Sequence, residues 1–187
     1  MLKGSTFERS TMRLSPVSYT VLGLIGLRGP STPYELKSAA ARSIAYFWPF
    51  PHSQLYSEPT RLAQAGLLVE TRESGGRNRK VYSLTDEGRG ALTDWLAKPP
   101  TEIHELRDMA LLQLQFFEFA SKKELIALAH QQGDLHRERL KTYGDIGARF
   151  GERYGGRRRM AGLRFGVMIE QAYITFWDDI AADPPEP

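Results

Sequence analysis

Apolar residues recur at helical spacing along most of this chain, and in one stretch of about twenty residues β-prone runs replace them. After a polar start, Ser15-Pro16 offers an N-cap followed by a first-turn proline, and Val17, Val21, Leu22, Leu24, Ile25 and Leu27 follow before Gly29-Pro30 ends the segment. That pattern predicts a first helix. Thr32-Pro33-Tyr34-Glu35 repeats the device with a capping box, in which Thr32 accepts from the Glu35 backbone N–H and the Glu35 carboxylate reaches back to the N–H of Thr32. A second helix is therefore expected from about Pro33 to about Ala45, broken by the aromatic, proline-punctuated run Tyr46-Phe47-Trp48-Pro49-Phe50-Pro51. A third is expected over roughly His52 to Ala65, with Gly66 as its C′ glycine. Leu67 to Arg72 and Lys80 to Leu84 are β-prone, and the polar, glycine-bearing Ser74 to Arg79 between them reads as a hairpin tip. Thr85 then caps a fourth helix whose first turn carries Asp86 and Glu87, where the helix dipole favours anions.

Lys98-Pro99-Pro100-Thr101 stiffens the chain and stops that helix, which divides the sequence into a flexible arm (1–13), a first domain (14–98) and a second (101–183). Beyond the boundary only helix is expected. Ser121-Lys122-Lys123-Glu124 is another capping box, opening a long helix with Leu125, Leu128, Leu135, Leu140, Tyr143 and Ile146 at roughly heptad spacing, diluted by Gly133. A glycine-rich joint is expected over Gly144, Gly147, Gly151, Gly155 and Gly156. The last helix, from about Arg157 to Ala181, is apolar on more than one face and must be covered on most sides. Two or three helices of one chain can hardly cover it, so a second subunit is the expected lid, with Leu163, Val167, Ile169, Tyr173, Phe176, Trp177 and Ile180 in the seam.

Composition narrows the classes. The chain has 187 residues, 41% of them hydrophobic, enough to bury a real core. It has no cysteine, so disulfides, thiolate metal sites and cysteine nucleophiles are excluded. Met1 to Arg13 lacks the apolar run of a signal peptide, and no apolar stretch approaches the roughly 18 residues that span a bilayer, so a cytoplasmic location is expected. The net charge of +3 is unevenly spread: residues 1–100 hold thirteen Lys and Arg against eight Asp and Glu, and the remainder holds twelve against fourteen. A positive excess confined to one half suits a domain that faces a polyanion.

Three helices, a hairpin and a further helix form the winged helix-turn-helix plan, giving a mainly α fold with one small β-hairpin and an all-α second domain. In the third helix, Leu55, Pro59, Leu62 and Ala63 would pack inward and leave Ser53, Gln54, Ser57, Thr60, Arg61 and Gln64 outside, side chains that read base edges or bond phosphates. The wing adds Arg77, Arg79 and Lys80, with Asn78 between them and no acid. A polar outer face and a basic hairpin tip are each ordinary surface features. Their joint occurrence in this order favours DNA.

The runs Tyr34-Glu35-Leu36, His52-Ser53-Gln54-Leu55-Tyr56, Arg61 to Leu68 and Arg79 to Arg89 resemble the PadR family of bacterial transcriptional regulators over residues 14–97, and the second half is similar in layout to the helical dimerisation region of its long members. The resemblance implies a homodimeric repressor that binds an inverted-repeat operator in double-stranded DNA and is often released by a small, commonly aromatic, molecule. It also implies that Tyr34, Lys37, Ser53, Gln54 and Tyr56 face DNA and that the wing cations grip phosphate. Where many members have Tyr-Pro, this chain has Tyr56-Ser57-Glu58-Pro59. Pro59 cannot donate to the Leu55 carbonyl, so the helix should be kinked there or begin its regular part near Glu58.

Other readings carry less. The chain has no P-loop, GxGxxG, GxSxG or HExxH, and nothing places a nucleophile beside a base, so neither an enzyme nor a cofactor is expected. His130 and Asp134 share a helical face that His136 does not, which argues against a metal site. Arg157-Arg158-Arg159 opens a helix against its dipole and is expected to pair with acids rather than DNA. Trp48, Tyr173 and Trp177 are candidates for an effector pocket, although aromatic residues at helical spacing are usually core. The alternative of another class is a winged-helix module that docks proteins and binds no specific DNA.

Overall fold

A computed structural model of the protein describes residues 12–49, 51, 53–73, 79–150 and 160–185. It divides into two compact units, Met1–Glu102 and Ile103–Pro187.

The first unit holds α1 (Pro16–Arg28), α2 (Pro33–Ala41), a 3-10 turn (Ile44–Tyr46), α3 (Gln54–Gln64), β1 (Leu68–Arg72), β2 (Lys80–Leu84) and α4 (Asp86–Leu96). Both expected capping devices form: Ser15 caps α1 with Pro16 in its first turn, and Thr32 and Glu35 close a reciprocal box on α2. The second helix ends four residues earlier than expected, because the last turn tightens: the N–H of Arg42 bonds the Ala39 carbonyl, and the Ser43 hydroxyl takes the same acceptor. Ile44 to Tyr46 continue as a 3-10 turn. At the other end of α3, Gly66 takes a φ of 77°, its N–H bonds the Ala63 carbonyl and the N–H of Leu67 bonds the Leu62 carbonyl, the Schellman pattern. Pro59 lies inside α3, which is one α-helix from Gln54 to Gln64, so the expected restart near Glu58 is corrected. Pro59 is itself buried, and burial of its ring among the core side chains offsets the hydrogen bond it cannot make.

Val17, Val21, Leu22, Leu24, Ile25, Leu36, Leu55, Leu62, Leu68 and Tyr82 form one core beneath the three helices and the hairpin. The strands pair antiparallel with Glu70 opposite Tyr82 and Arg72 opposite Lys80. The sequence did not signal that Ser31 exchanges two backbone hydrogen bonds with Tyr82, 3.0 and 2.9 Å long, and so adds a one-residue antiparallel bridge to β2. Helix α4 closes the unit. Its Gly88 sits so near the Leu67 carbonyl that a Cβ would stand 2.1 Å from that oxygen, and Trp95 stacks on Tyr19 of α1 at 4.6 Å.

The second unit holds α5 (Met109–Leu114), a 3-10 turn (Phe117–Phe119), α6 (Lys122–Phe150) and α7 (Ala161–Ala182). The short α5, capped by Asp108, carries no periodic signal long enough to read from sequence. Gly144 and Gly147 fall inside α6 rather than in a joint, which corrects the expected end of that helix; Gly147 faces Leu163 of α7 there. The other three glycines of that joint, with Arg157, Arg158 and Arg159, lie outside the described residues. Gly166 lets α7 approach the Tyr143 ring, and Ala110, Ala129 and Trp177 form the core between α5, α6 and α7. Trp177 is fully buried and its indole N–H has no hydrogen-bond partner among the described residues, so packing holds it. No helix among the described residues is long and apolar enough to cross a membrane.

Candidate nucleic-acid interface

The inward face of α3 carries Leu55, Pro59 and Leu62, all buried, and its other face is polar. Helical geometry then brings the start of α3 beside α2. Tyr34 and Lys37 are three residues apart on α2, and the Lys37 ammonium sits 6.0 Å from the centre of the Tyr56 ring on α3. Tyr34 is 70% exposed and Tyr56 45%, although a buried site is where large rings usually go. Gln54 and Ser57 are exposed on the same helix as Tyr56, and Ser53, also exposed, stands directly before it. One cation, two phenols, two hydroxyls and a carboxamide therefore share a surface rich in donors.

The remaining expected residues separate from that group. Arg61 donates to Glu58 Oε2 at 2.8 Å through Nε and to Glu58 Oε1 at 2.5 Å through Nη2. Its Nη2 also lies 3.0 Å from the hydroxyl of Ser18, which in turn donates to Glu58 at 2.6 Å. Burial raises the Glu58 carboxyl, and the hydrogen bonds from Arg61 and Ser18 more than reverse this, so it ionises below its ordinary range. Thr60 lies 2.8 Å from the Tyr82 hydroxyl, which donates to Glu70 at 2.9 Å, and Lys80 donates to that same carboxylate oxygen at 3.1 Å. Thr60, Arg61 and Lys80 are thus bonded within their own chain. Sequence periodicity had set them outward, since an outward Cβ says nothing of where a long side chain finds a partner.

On the wing, Arg79 is exposed, and its charge, with that of Arg28, helps to hold Glu35 below the ordinary carboxylate range, after the larger effect of the Thr32 hydrogen bonds. Arg77 and Asn78 lie outside the described residues, as do His52 and Phe50.

The candidate effector residues are divided between the two units. Trp48 is half-exposed beside an open cleft of about 510 Å³ that it lines with Arg13, Pro16, Gln54 and Glu58, all within the first unit. Tyr173 and Trp177 belong to the second. Tyr173 stacks on His136 at 4.2 Å, and burial, with Asp108 hydrogen-bonded beside it, pushes its phenol up. His136 Nδ1 lies 2.5 Å from Glu170, and Asp134 pairs with Arg137, so those residues of the weighed metal cluster face different partners. Among the described residues no group of three His, Cys, Asp or Glu is arranged to hold a metal ion.

The faces of α7 divide in two. Trp177 and Glu170 are buried and Leu163, Val167, Ile169, Tyr173 and Ile180 half-buried, whereas Phe165, Met168 and Phe176 are exposed by 59, 57 and 38%. Of the expected seam, Trp177, Tyr173 and Ile180 pack in the core of their own chain.

Comparison with known proteins agrees with this architecture. Residues 21–94 match the family described as Transcriptional regulator PadR-like family, and residues 106–183 match that described as Virulence activator alpha C-term. The negative transcriptional regulator PadR of Bacillus subtilis is 29% identical over 118 residues, which span 62% of this chain and 64%, just under two thirds, of that protein. A probable transcriptional regulator of Mycobacterium tuberculosis is 28% identical over 170 residues, 81% of this chain and 88% of its own length. Among solved structures, Bacillus subtilis PadR in complex with operator DNA superposes with a TM-score of 0.81 at 22% identity, covering 91% of this chain and 98% of that one. The same regulator in complex with p-coumaric acid gives 0.75 at 22%, over 91% and 97%. These likenesses establish the winged-helix fold.

Proposed function

Residues 21–94 match the PadR-like family of transcriptional regulators, and from that premise we propose that the chain is a sequence-specific repressor acting as a homodimer on an inverted-repeat operator. The observation that carries the reading is the exposed surface where Lys37 of α2 meets Tyr56 of α3. Tyr34, Ser53, Gln54 and Ser57 extend it, and exposed phenols, hydroxyls and a carboxamide beside a cation are side chains that bond phosphates and base edges. Gln54 reads a base edge, Lys37 and Arg79 bond phosphate, and Arg77 and Asn78 complete the wing. The exposed apolar stripe of α7, with Phe116 and Phe119 at 60 and 91% exposure, supports the homodimer, since such surface on one chain calls for protein cover. A small aromatic molecule binding beside Trp48 or Trp177 releases the DNA. Support for that lies in the similar Bacillus regulator, which has been solved both with operator DNA and with p-coumaric acid. A cytoplasmic location suits all of these roles.

Selection of bound fragments from genomic DNA supplies the operator, and substitution then separates reader from clamp. Gln54→Ala should cost about 1–3 kcal/mol on that operator and relax preference at one base position, with random DNA little affected. Arg79→Ala should weaken cognate and random DNA alike and make the log–log salt slope shallower by roughly 0.9 for each phosphate that is no longer neutralised. Absence of binding at low salt would refute the regulator and leave a protein-docking module.

A further inference from the structure

Lys80 is one of the cations expected on the wing, yet its ammonium is already engaged. It lies 3.1 Å from Glu70 Oε2, with 41% of the Lys80 side chain and 24% of the Glu70 side chain exposed. Glu70 is opposite Tyr82 in the register, and Lys80 is its diagonal neighbour on the same face of the sheet. The Tyr82 hydroxyl donates 2.9 Å to the same Oε2, and Tyr82 is fully buried, so the carboxylate is anchored from beneath. Thr60, 2.8 Å from that hydroxyl, completes a line from α3 to the hairpin. A surface ion pair is ordinarily weak because two long side chains must be ordered to make it. Here one partner is already ordered by a buried group, and the ordering cost falls on Lys80 alone.

We propose that Glu70 is a positioning residue that occupies Lys80 in the place of a DNA phosphate and so sets how strongly, and with what salt dependence, the wing grips the backbone. Lys80 stays on Glu70 in the DNA complex, and the wing bonds phosphate through its other cations. The inference rests on the DNA-binding reading. Because a bond to phosphate carries no base information, the device tunes affinity for every sequence and leaves the preference of Gln54 unchanged.

The test is a set of salt titrations of the full chain on a random duplex, read by fluorescence anisotropy. Wild type must first bind with a salt-dependent affinity; its failure to do so overturns the DNA-binding reading itself. Given that binding, Lys80→Ala should leave the salt slope unchanged. Glu70→Gln keeps an oxygen for the Tyr82 hydroxyl and releases Lys80, and should steepen the slope by roughly 0.9 per subunit and raise affinity at low salt by up to about fivefold. Combining Lys80→Ala with Glu70→Gln should abolish that gain. The proposal is overturned if Lys80→Ala alone makes the slope shallower, if Glu70→Gln changes nothing, or if the gain survives in the double variant. Should Glu70→Gln prove unfolded by circular dichroism, the Lys80→Ala titration decides alone.

Discussion

Helices α3 and α7 solve the same problem on their inner faces and diverge on their outer ones. Leu55, Pro59 and Leu62 seat α3 in the core of the first unit, and Trp177 with its half-buried neighbours seats α7 in the second. Outside, α3 shows Gln54, Tyr56 and Ser57, whereas α7 shows Phe165, Met168 and Phe176. Burial inside one chain is satisfied by apolar bulk in both cases, so it is the uncovered face that reports the partner. Hydrogen-bonding groups suit the edges of bases, and aromatic and thioether surface suits another protein.

The largest effect expected is on the buried side of α7. Trp177→Ala removes a fully buried ring from a core of few residues and should cost about 3–5 kcal/mol in urea unfolding; a loss under about 1 kcal/mol would mean that α7 is not seated as described. Next comes its open side. Phe165→Asp should leave helix content and monomer folding intact while weakening self-association by about 2 kcal/mol or more, seen by sedimentation as a shift from twice the chain mass towards one. If this variant unfolds as Trp177→Ala does, the two faces of α7 do not differ in kind and the contrast with α3 fails.

A smaller effect lies on α3. The Glu58 carboxyl is held below its ordinary value of 4.5, so its contribution to stability is fully present above that pH and is lost as pH falls through the lowered folded-state value. Glu58→Gln should flatten this acid limb in thermal unfolding below pH 4.5. An unchanged limb would mean that the bonds from Ser18 and Arg61 do not fasten α3 to α1.

Much of this was legible beforehand where a local group decides a local outcome. Ser15-Pro16, Thr32 to Glu35, Thr85 and Gly66 each satisfy orphaned backbone groups within a few residues, and helix ends appear where those residues stand. The early end of α2 was harder to see, because it turns on competition by the hydroxyl of Ser43 for one carbonyl. Pro59 and Gly147 misled for a related reason: each disfavours a helix on its own, and packing against the rest of its unit overrides that preference.

The candidate site divides along the same line. Helical spacing placed Gln54 and Ser57 on the outer face of α3, because the direction of a Cβ follows from backbone geometry alone, and the family resemblance added Tyr56. Spacing placed Thr60 and Arg61 there too, and the basic hairpin pattern set Lys80 among the free wing cations. Thr60 and Lys80 end on partners 22 and 10 residues distant in the chain, and Arg61, besides its ion pair with Glu58 three residues before it, reaches Ser18, 43 residues away. By itself the sequence determined the order of elements, their caps, the apolar inner faces and the excess of positive charge. Only the tertiary structure decided which cations remain available for a phosphate and which apolar residues of α7 are covered by their own chain, because an ion pair or a buried ring depends on groups that folding alone brings within a few ångströms.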